Sequence, residues 1–364
     1  MILQTEKASE VIELFSRWNV SMRDRNLAVI EELNIEIQEL LDPAELDHQE
    51  LLWHSLLETR YTLIHKRYDD TEVLLQQLEL LEGQLSPEMA FYYHFFNGMF
   101  ASSMNRHVDA VSRYQIAERF LGCVEDKIEV AEFYYKAAAA FYHTRKFLLA
   151  ISYAKMARET FEEVSKNDLR CADCENILGL CSLSLKQYEQ AEEHFLDSLD
   201  IAEKFKNEEL LNFIRYNLGF LYSEQNLSDI AIRHLGELYS KKFIPHKLSF
   251  LLAREYFKMN DKGNGFYYLH QGMDVCSNVQ NEEYLHHLQI LNAQYSDLPF
   301  EEIEQIVSEH LKYFEEKQLW GFVQDYTESL ATLLHHEKQF EKASTYFYQA
   351  FRAKTKIEEM GYLR

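Results

Sequence analysis

The chain has 364 residues, 47% of them hydrophobic, with only 11 Gly and 4 Pro, and its 60 acidic against 37 basic residues give a net charge of −23. That is enough apolar material for a large core and too little turn punctuation for a β-rich fold, so an all-α chain is expected. The charge excludes a nucleic-acid binder, which needs a dense basic stripe, and no window reaches the roughly 18 uncharged apolar residues of a membrane span.

The start, MILQTEKASEVIELF, lacks a charged segment followed by an unbroken apolar run and a small-residue cleavage site, so no signal peptide is expected. Residues 1–70 read as a three-helix bundle. The first helix, about residues 6–21, carries Val11, Leu14, Phe15 and Trp18 at helical spacing. The second, about 25–41, carries Leu27, Ile30, Leu33 and Ile37 and is ended by Pro43; the third starts near Asp47 and carries Leu51, Leu52, Leu56, Leu57 and Leu63 towards Tyr68. Residues 71–86 read as a helical linker, closed by Gly83 and by Ser86-Pro87, an N-cap followed by proline at the first helical position.

From residue 87 to 364 a different organisation takes over. Gly98, Ala110 and Ala117 are spaced as Ala138, Ala150 and Ala157 and as Ala331, Ala343 and Ala350, at offsets of 12 and then 7. Weaker copies start at Gly179, Gly219 and Ala253, and the segment 1–70 lacks this spacing. Such offsets place small residues where paired helices cross, with a large residue such as Tyr114, Phe195 or Phe347 filling the hole. This is the logic of a tetratricopeptide-like α-solenoid, in which each pair buries its apolar face only against its neighbours. Between Gly272 and Ala331 the pattern slackens, and one further pair that breaks the consensus is expected there.

In such an array the first helix of each pair lines a trough. The trough positions are Phe213, Tyr216, Asn217, Phe220, Ser223 and Glu224 in the fourth copy, Asp173, Asn176 and Ile177 in the third, and Tyr135, Lys136 and Ala139 in the second. An amide donates to a peptide carbonyl and accepts from a peptide N–H, so Asn217 above all, and Asn176, are suited to clamp an extended peptide backbone. The plainer alternatives for Asn217 are a side chain that merely tolerates solvent in a helix, or one that caps a local backbone group. Cys171 and Cys174 form a C-x-x-C with no second ligand pair and read as packed, reduced thiols. The histidine pairs 286/287 and 335/336 are sequence neighbours and point about 100° apart on a helix, so no metal site is expected. No cofactor fingerprint or catalytic motif occurs. Spacing alone describes a binding module.

Trp18, SLLETRYTL (Ser55 to Leu63), FYYHFFNGMF (Phe91 to Phe100), KIEVAEFYYKAAAAFY (Lys127 to Tyr142) and RYNLGFLY (Arg215 to Tyr222) together resemble the Rap proteins of Bacillus. The resemblance covers essentially the whole chain. It implies a cytoplasmic regulator of two-component signalling, with a three-helix bundle, a linker and a tetratricopeptide domain. Members dephosphorylate the phosphoaspartate of a response regulator or bind its DNA-binding domain, and a short secreted peptide of the Phr type enters the trough and switches many of them off. It implies that the bundle and linker meet the target, and that peptide binding folds the bundle against the array. Phosphatase members carry a glutamine at the start of the third bundle helix to orient water. Counting back from Ser55 reaches His48, with Gln49 one residue on, so both stand as participants. Asn217 matches the YNLG motif, with Asn176, Tyr216, Phe213, Phe220 and Lys136 around the peptide, while Cys181 and Ser184 stand where members carry polar or acidic residues. From a different class, a non-catalytic tetratricopeptide adaptor would share the array and need neither His48 nor Gln49.

Overall fold

The computed structural model describes residues 2–40, 46–165 and 168–362. Among these the chain is a succession of helices without strands. The first four are α1 (Ile2–Arg23), α2 (Leu27–Leu40), α3 (His48–Ile64) and α4 (Tyr68–Glu79). Then come α5 (Pro87–Ser103), α6 (His107–Glu118), α7 (Lys127–His143), α8 (Phe147–Val164), α9 (Arg170–Ser184) and α10 (Tyr188–Lys204). The remainder are α11 (Glu208–Glu224), α12 (Ser228–Ser240), α13 (Pro245–Lys258), α14 (Lys262–Val279), α15 (Glu282–Tyr295), α16 (Phe300–Glu316), α17 (Trp320–His336) and α18 (Phe340–Tyr362). The chain divides into two compact units, residues 1–177 and 178–364.

One turn recurs through both units. Lys66, Asn105, Arg145, Lys186, Asn226, Asn260, Gln318 and Lys338 each follow a helix with φ between 56° and 66°. At the first, Lys66 N–H donates to Leu63 O at 3.1 Å and Arg67 N–H to Thr62 O at 2.9 Å; at the second, Asn105 and Arg106 repeat both bonds at 3.0 and 2.8 Å. A left-handed residue here satisfies the last carbonyls of the helix and reverses the chain within three residues.

The small residues sit where helices cross. A Cβ at Gly179 would lie 2.6 Å from Phe195, and one at Gly219 would lie 2.6 Å from Leu235. Gly98 is closed in the same way by the ring of Tyr114. In each case the large residue stands 16 positions after the glycine. Where alanine takes the first place, as at Ala138, the residue 16 positions on is Ala154, and both are fully buried. Phe347, expected to fill such a hole, is instead 45% exposed on α18. Ala331, fully buried at the place the glycines hold in other pairs, already carries a methyl of its own. The pair expected between Gly272 and Ala331 is α15 and α16.

The bundle core is Val11, Leu14, Phe15, Trp18 and Met22 of α1, Ile30, Leu33 and Ile37 of α2, and Leu57 and Tyr61 of α3. Leu27 and Leu51, expected in the apolar stripes, face solvent at 58% and 36% exposure because they start α2 and α3 on the outer side. Pro43 lies outside the described residues. The spacing expected to be absent from residues 1–70 begins there in disguise: α3 and α4 form a pair with the same turn, and Thr59, Thr71 and Leu78 stand 39 positions before Gly98, Ala110 and Ala117. Both threonines are fully buried, with Thr59 Oγ1 donating to Ser55 O at 2.7 Å and Thr71 Oγ1 to Thr62 Oγ1 at 2.9 Å. With their hydroxyls satisfied locally, they pack as small residues.

Candidate functional site

The first turn of α3 is fixed by a reciprocal cap. Asp47 accepts from Glu50 N–H at 2.9 Å, and the Glu50 carboxylate accepts from Asp47 N–H at 2.8 Å. His48 and Gln49 follow the cap as the first two helical residues, and both are exposed. An imidazole and an amide are thus presented to solvent on a turn whose backbone cannot fray, beside the positive end of a helix. One helical turn or more further on, His54 stacks on Trp18 at 6.5 Å, and burial pushes its pKa down.

In the second unit, α11 carries four of the candidates. Asn217 is 8% exposed, Tyr216 and Phe220 are half-buried, and Phe213 is 41% exposed with its ring edge-on to Phe243 at 4.8 Å. Ser223, further along α11, donates to Glu255 at 2.5 Å, and Arg254 donates to Ser223 at 2.5 Å and to Glu224 at 3.1 Å. Sequence reasoning missed what lies next to these. Arg254 stands over the ring of Phe250 at 5.8 Å, and Phe250 packs against Tyr284 and His287 of α15. His287 in turn bonds Tyr326 of α17 at 2.5 Å. Burial drives the His287 pKa down to about 3, so the ring is neutral, and burial with Tyr216 nearby drives the Tyr284 phenol far up. Adjacent His286 instead meets His310 at 2.8 Å. The signal was present as aromatic residues on the first helices of successive pairs, but it is indistinguishable from core packing without coordinates.

In the first unit, α7 carries Lys136 and α9 carries Asn176, both half-buried. Lys136 lies 3.5 Å from Glu132 and over the ring of Tyr135 at 4.9 Å, and burial lowers its pKa. Burial also lifts the Asp173 carboxyl to about 6, against the pull of Arg25 and Lys136. Here too a feature escaped the sequence. Asp126, Glu129 and Glu132 lie at intervals of three along the start of α7, and each takes an arginine from the bundle. Arg23 bonds Asp126, Arg60 donates to Glu129 at 2.9 Å, and Arg25 donates to Glu132 at 3.4 Å. Arg60 also donates to Asn19 at 2.8 Å and covers Phe96 at 5.4 Å. Trp53 of α3 meets Tyr92 of α5 edge-on at 5.3 Å. Arg23, Arg25 and Arg60 are therefore engaged within the unit.

No helix among the described residues is long and apolar enough to cross a membrane. No protein-family model matches the chain. It is 26% identical over 368 residues to regulatory protein RapF of Bacillus subtilis (strain 168), covering 96% of each chain. It is 27% identical to response regulator aspartate phosphatase A of the same organism, over 98% of this chain and 97% of that one. A solved Rap protein complexed with competence and sporulation factor superposes with a TM-score of 0.79 at 20% identity, over 98% of this chain and 99% of that one. In sequence and in helix order alike, over nearly its whole length, the chain is similar to the Rap proteins.

Proposed function

We propose that this chain is a peptide-controlled antagonist of a two-component response regulator, working in the cytoplasm. In this reading residues 1–70 are the module that grips the regulator, 71–86 the linker, and 87–364 the tetratricopeptide domain that receives a short Phr-type peptide. The observation that carries it is the relationship to response regulator aspartate phosphatase A across 98% of this chain. The solved relative complexed with competence and sporulation factor supports the peptide half.

The chemistry asked of the bundle is modest. Hydrolysis of an acyl phosphate needs a water held in line with the phosphorus, and a fixed amide or imidazole supplies that by orientation rather than by covalent work. Gln49 is the favoured participant and His48 the second, since the Asp47–Glu50 cap holds the turn that bears both. On the array, Asn217 clamps the peptide backbone, with Tyr216, Phe213 and Phe220 on the same helix; Lys136 and Asn176 are the candidate peptide contacts of the first unit.

Mixing the chain with phosphorylated receiver domains tests the catalytic half. Faster decay of the phosphoaspartate is expected, reduced about 100-fold by Gln49→Ala if one positioning contact is lost. Decay left unchanged by the wild type and by both the Gln49→Ala and His48→Ala variants would remove hydrolysis from the reading. Blocking of a regulator's DNA binding would then be its remaining form. Calorimetry with candidate pentapeptides tests the other half, through loss of binding in Asn217→Ala.

A further inference from the structure

The histidines that the sequence sets side by side are not the ones the fold brings together. His286, half-buried on α15, meets His310, half-buried on α16, with the two Nδ1 atoms 2.8 Å apart. One neutral ring donates in that contact and the other accepts, so two ring nitrogens are aimed at one point from separate helices. Two other pairs of imidazoles do not converge in this way. His107 and His143 lie face to face at 4.1 Å and 9°, which keeps their in-plane lone pairs from meeting, and the ring centres of His335 and His336 are 6.3 Å apart. Tyr313 stacks on the His286 ring at 4.2 Å and holds its plane. Burial lowers the pKa of both His286 and His310, so both rings are neutral near pH 7 and have a lone pair to give. Glu282 stands one helical turn before His286 and Glu309 stands beside His310; both carboxylates are exposed, and their charge favours a cation at this place. The connection here is also different. Every other helix pair from α3 onward is joined through a left-handed residue, whereas residues 296–299 between α15 and α16 contain none.

The geometry points to a site for one divalent transition ion of the zinc class between α15 and α16, held by Nδ1 of His286 and Nδ1 of His310 with water in its remaining positions. No third His, Cys, Asp or Glu joins the two among the described residues, so the ion keeps solvent ligands and is bound reversibly. Zinc–imidazole bonds of about 2.0–2.1 Å at a tetrahedral angle put the two nitrogens about 3.4 Å apart, so the rings open by about 0.6 Å from their hydrogen bond. The proton of the donating ring moves to its own Nε2, and binding therefore exchanges one tautomer for another without releasing a proton. Imidazole selects borderline ions such as zinc, whereas magnesium and calcium call for oxygen ligands. The ion staples the one pair that lacks the left-handed turn, and with it the helix that presents Tyr284 and His287 to Phe250. The site is independent of the peptide and response-regulator readings given above.

The test uses the full chain, free of any polyhistidine tag and stripped with a chelator, titrated with zinc chloride and, as a control, with magnesium chloride. Calorimetry is expected to show one zinc ion whose affinity drops at least about tenfold in His286→Ala and in His310→Ala and is unchanged in His335→Ala. Zinc at ten times its dissociation constant is expected to slow hydrogen exchange of α15 and α16 amides about tenfold in the wild type, because opening of the pair then competes with binding, and magnesium is expected to leave exchange as it was. The exchange measurement needs no variant, so a failure of either alanine variant to fold leaves it decisive. Zinc affinity equal in the wild type and in both variants, or zinc that leaves α15 and α16 exchange unchanged, would overturn the site and leave the two rings as a hydrogen-bonded pair.

Discussion

Arg60 and Glu129 are 4% and 1% exposed in their side chains, and each is the other's main source of countercharge. Burial alone pushes the Glu129 pKa up, and Arg60 only partly offsets it. Truncating one partner leaves an uncompensated charge in a water-poor site, so Arg60→Met is expected to destabilise the chain by about 3–5 kcal/mol in urea unfolding. Arg60→Met with Glu129→Leu together is expected to recover most of that loss, because both desolvation penalties vanish. Asp173 gives a pH signature nearby. Its folded pKa is lifted to about 6 by burial, above the ordinary 3.8, so the folded state holds a proton that the unfolded chain has released. Stability from this group therefore falls as pH rises from about 4 to about 6, and Asp173→Asn is expected to flatten the urea midpoint across that window.

At the scale of elements, two local rules do most of the folding. The first is the left-handed turn residue, which here is Lys, Asn, Arg or Gln and never glycine. A side chain in that conformation is strained, so Lys66→Gly and Lys186→Gly are each expected to stabilise by about 0.5–1 kcal/mol in thermal or urea unfolding. The second is the closed crossing. Gly98→Ala is expected to destabilise by about 1–3 kcal/mol despite the better helix propensity of alanine, because the Tyr114 ring is fully buried and cannot retreat. These rules explain what could be read from the sequence. Gly98, Gly179 and Gly219 announce the crossings because only a missing side chain fits there, and Ser86-Pro87 announces α5 by chemistry confined to four residues; Ser86 accepts from Met89 N–H at 3.3 Å. Thr59 and Thr71 hid the α3–α4 pair because a threonine reads as polar until its hydroxyl is seen bonded. The acids of α7 hid likewise, since an interval of three resembles a solvated face and their arginines come from 69 to 107 residues away. His48 and Gln49 were legible only through resemblance, as an exposed first turn carries no periodicity to read.

At the scale of the molecule, a net charge of −23 makes every internal cation part of the balance that holds acidic surfaces together. The contact of the bundle with α5 and α7 is graded by exposure. Its middle rung, Arg60 with Glu129, is sealed, whereas Asp126 and Arg25, one partner in each outer rung, keep 42% and 53% of their side chains in solvent. Salt screens exposed pairs and hardly reaches buried ones, the Debye length shrinking from about 10 Å at 0.1 M to about 3 Å at 1 M. Raising NaCl across that range is therefore expected to speed hydrogen exchange in the turn at residues 23–27 and in the first turn of α7, while α5 amides keep their protection. Removing the middle rung by Glu129→Gln is expected to extend the salt response to α3, since the Trp53–Tyr92 contact, the Arg60–Phe96 contact and apolar packing then hold that place without an ion pair. Exchange that is flat in salt for the wild type would mean that apolar contact alone seats the bundle, and that the three arginines add specificity of position rather than strength.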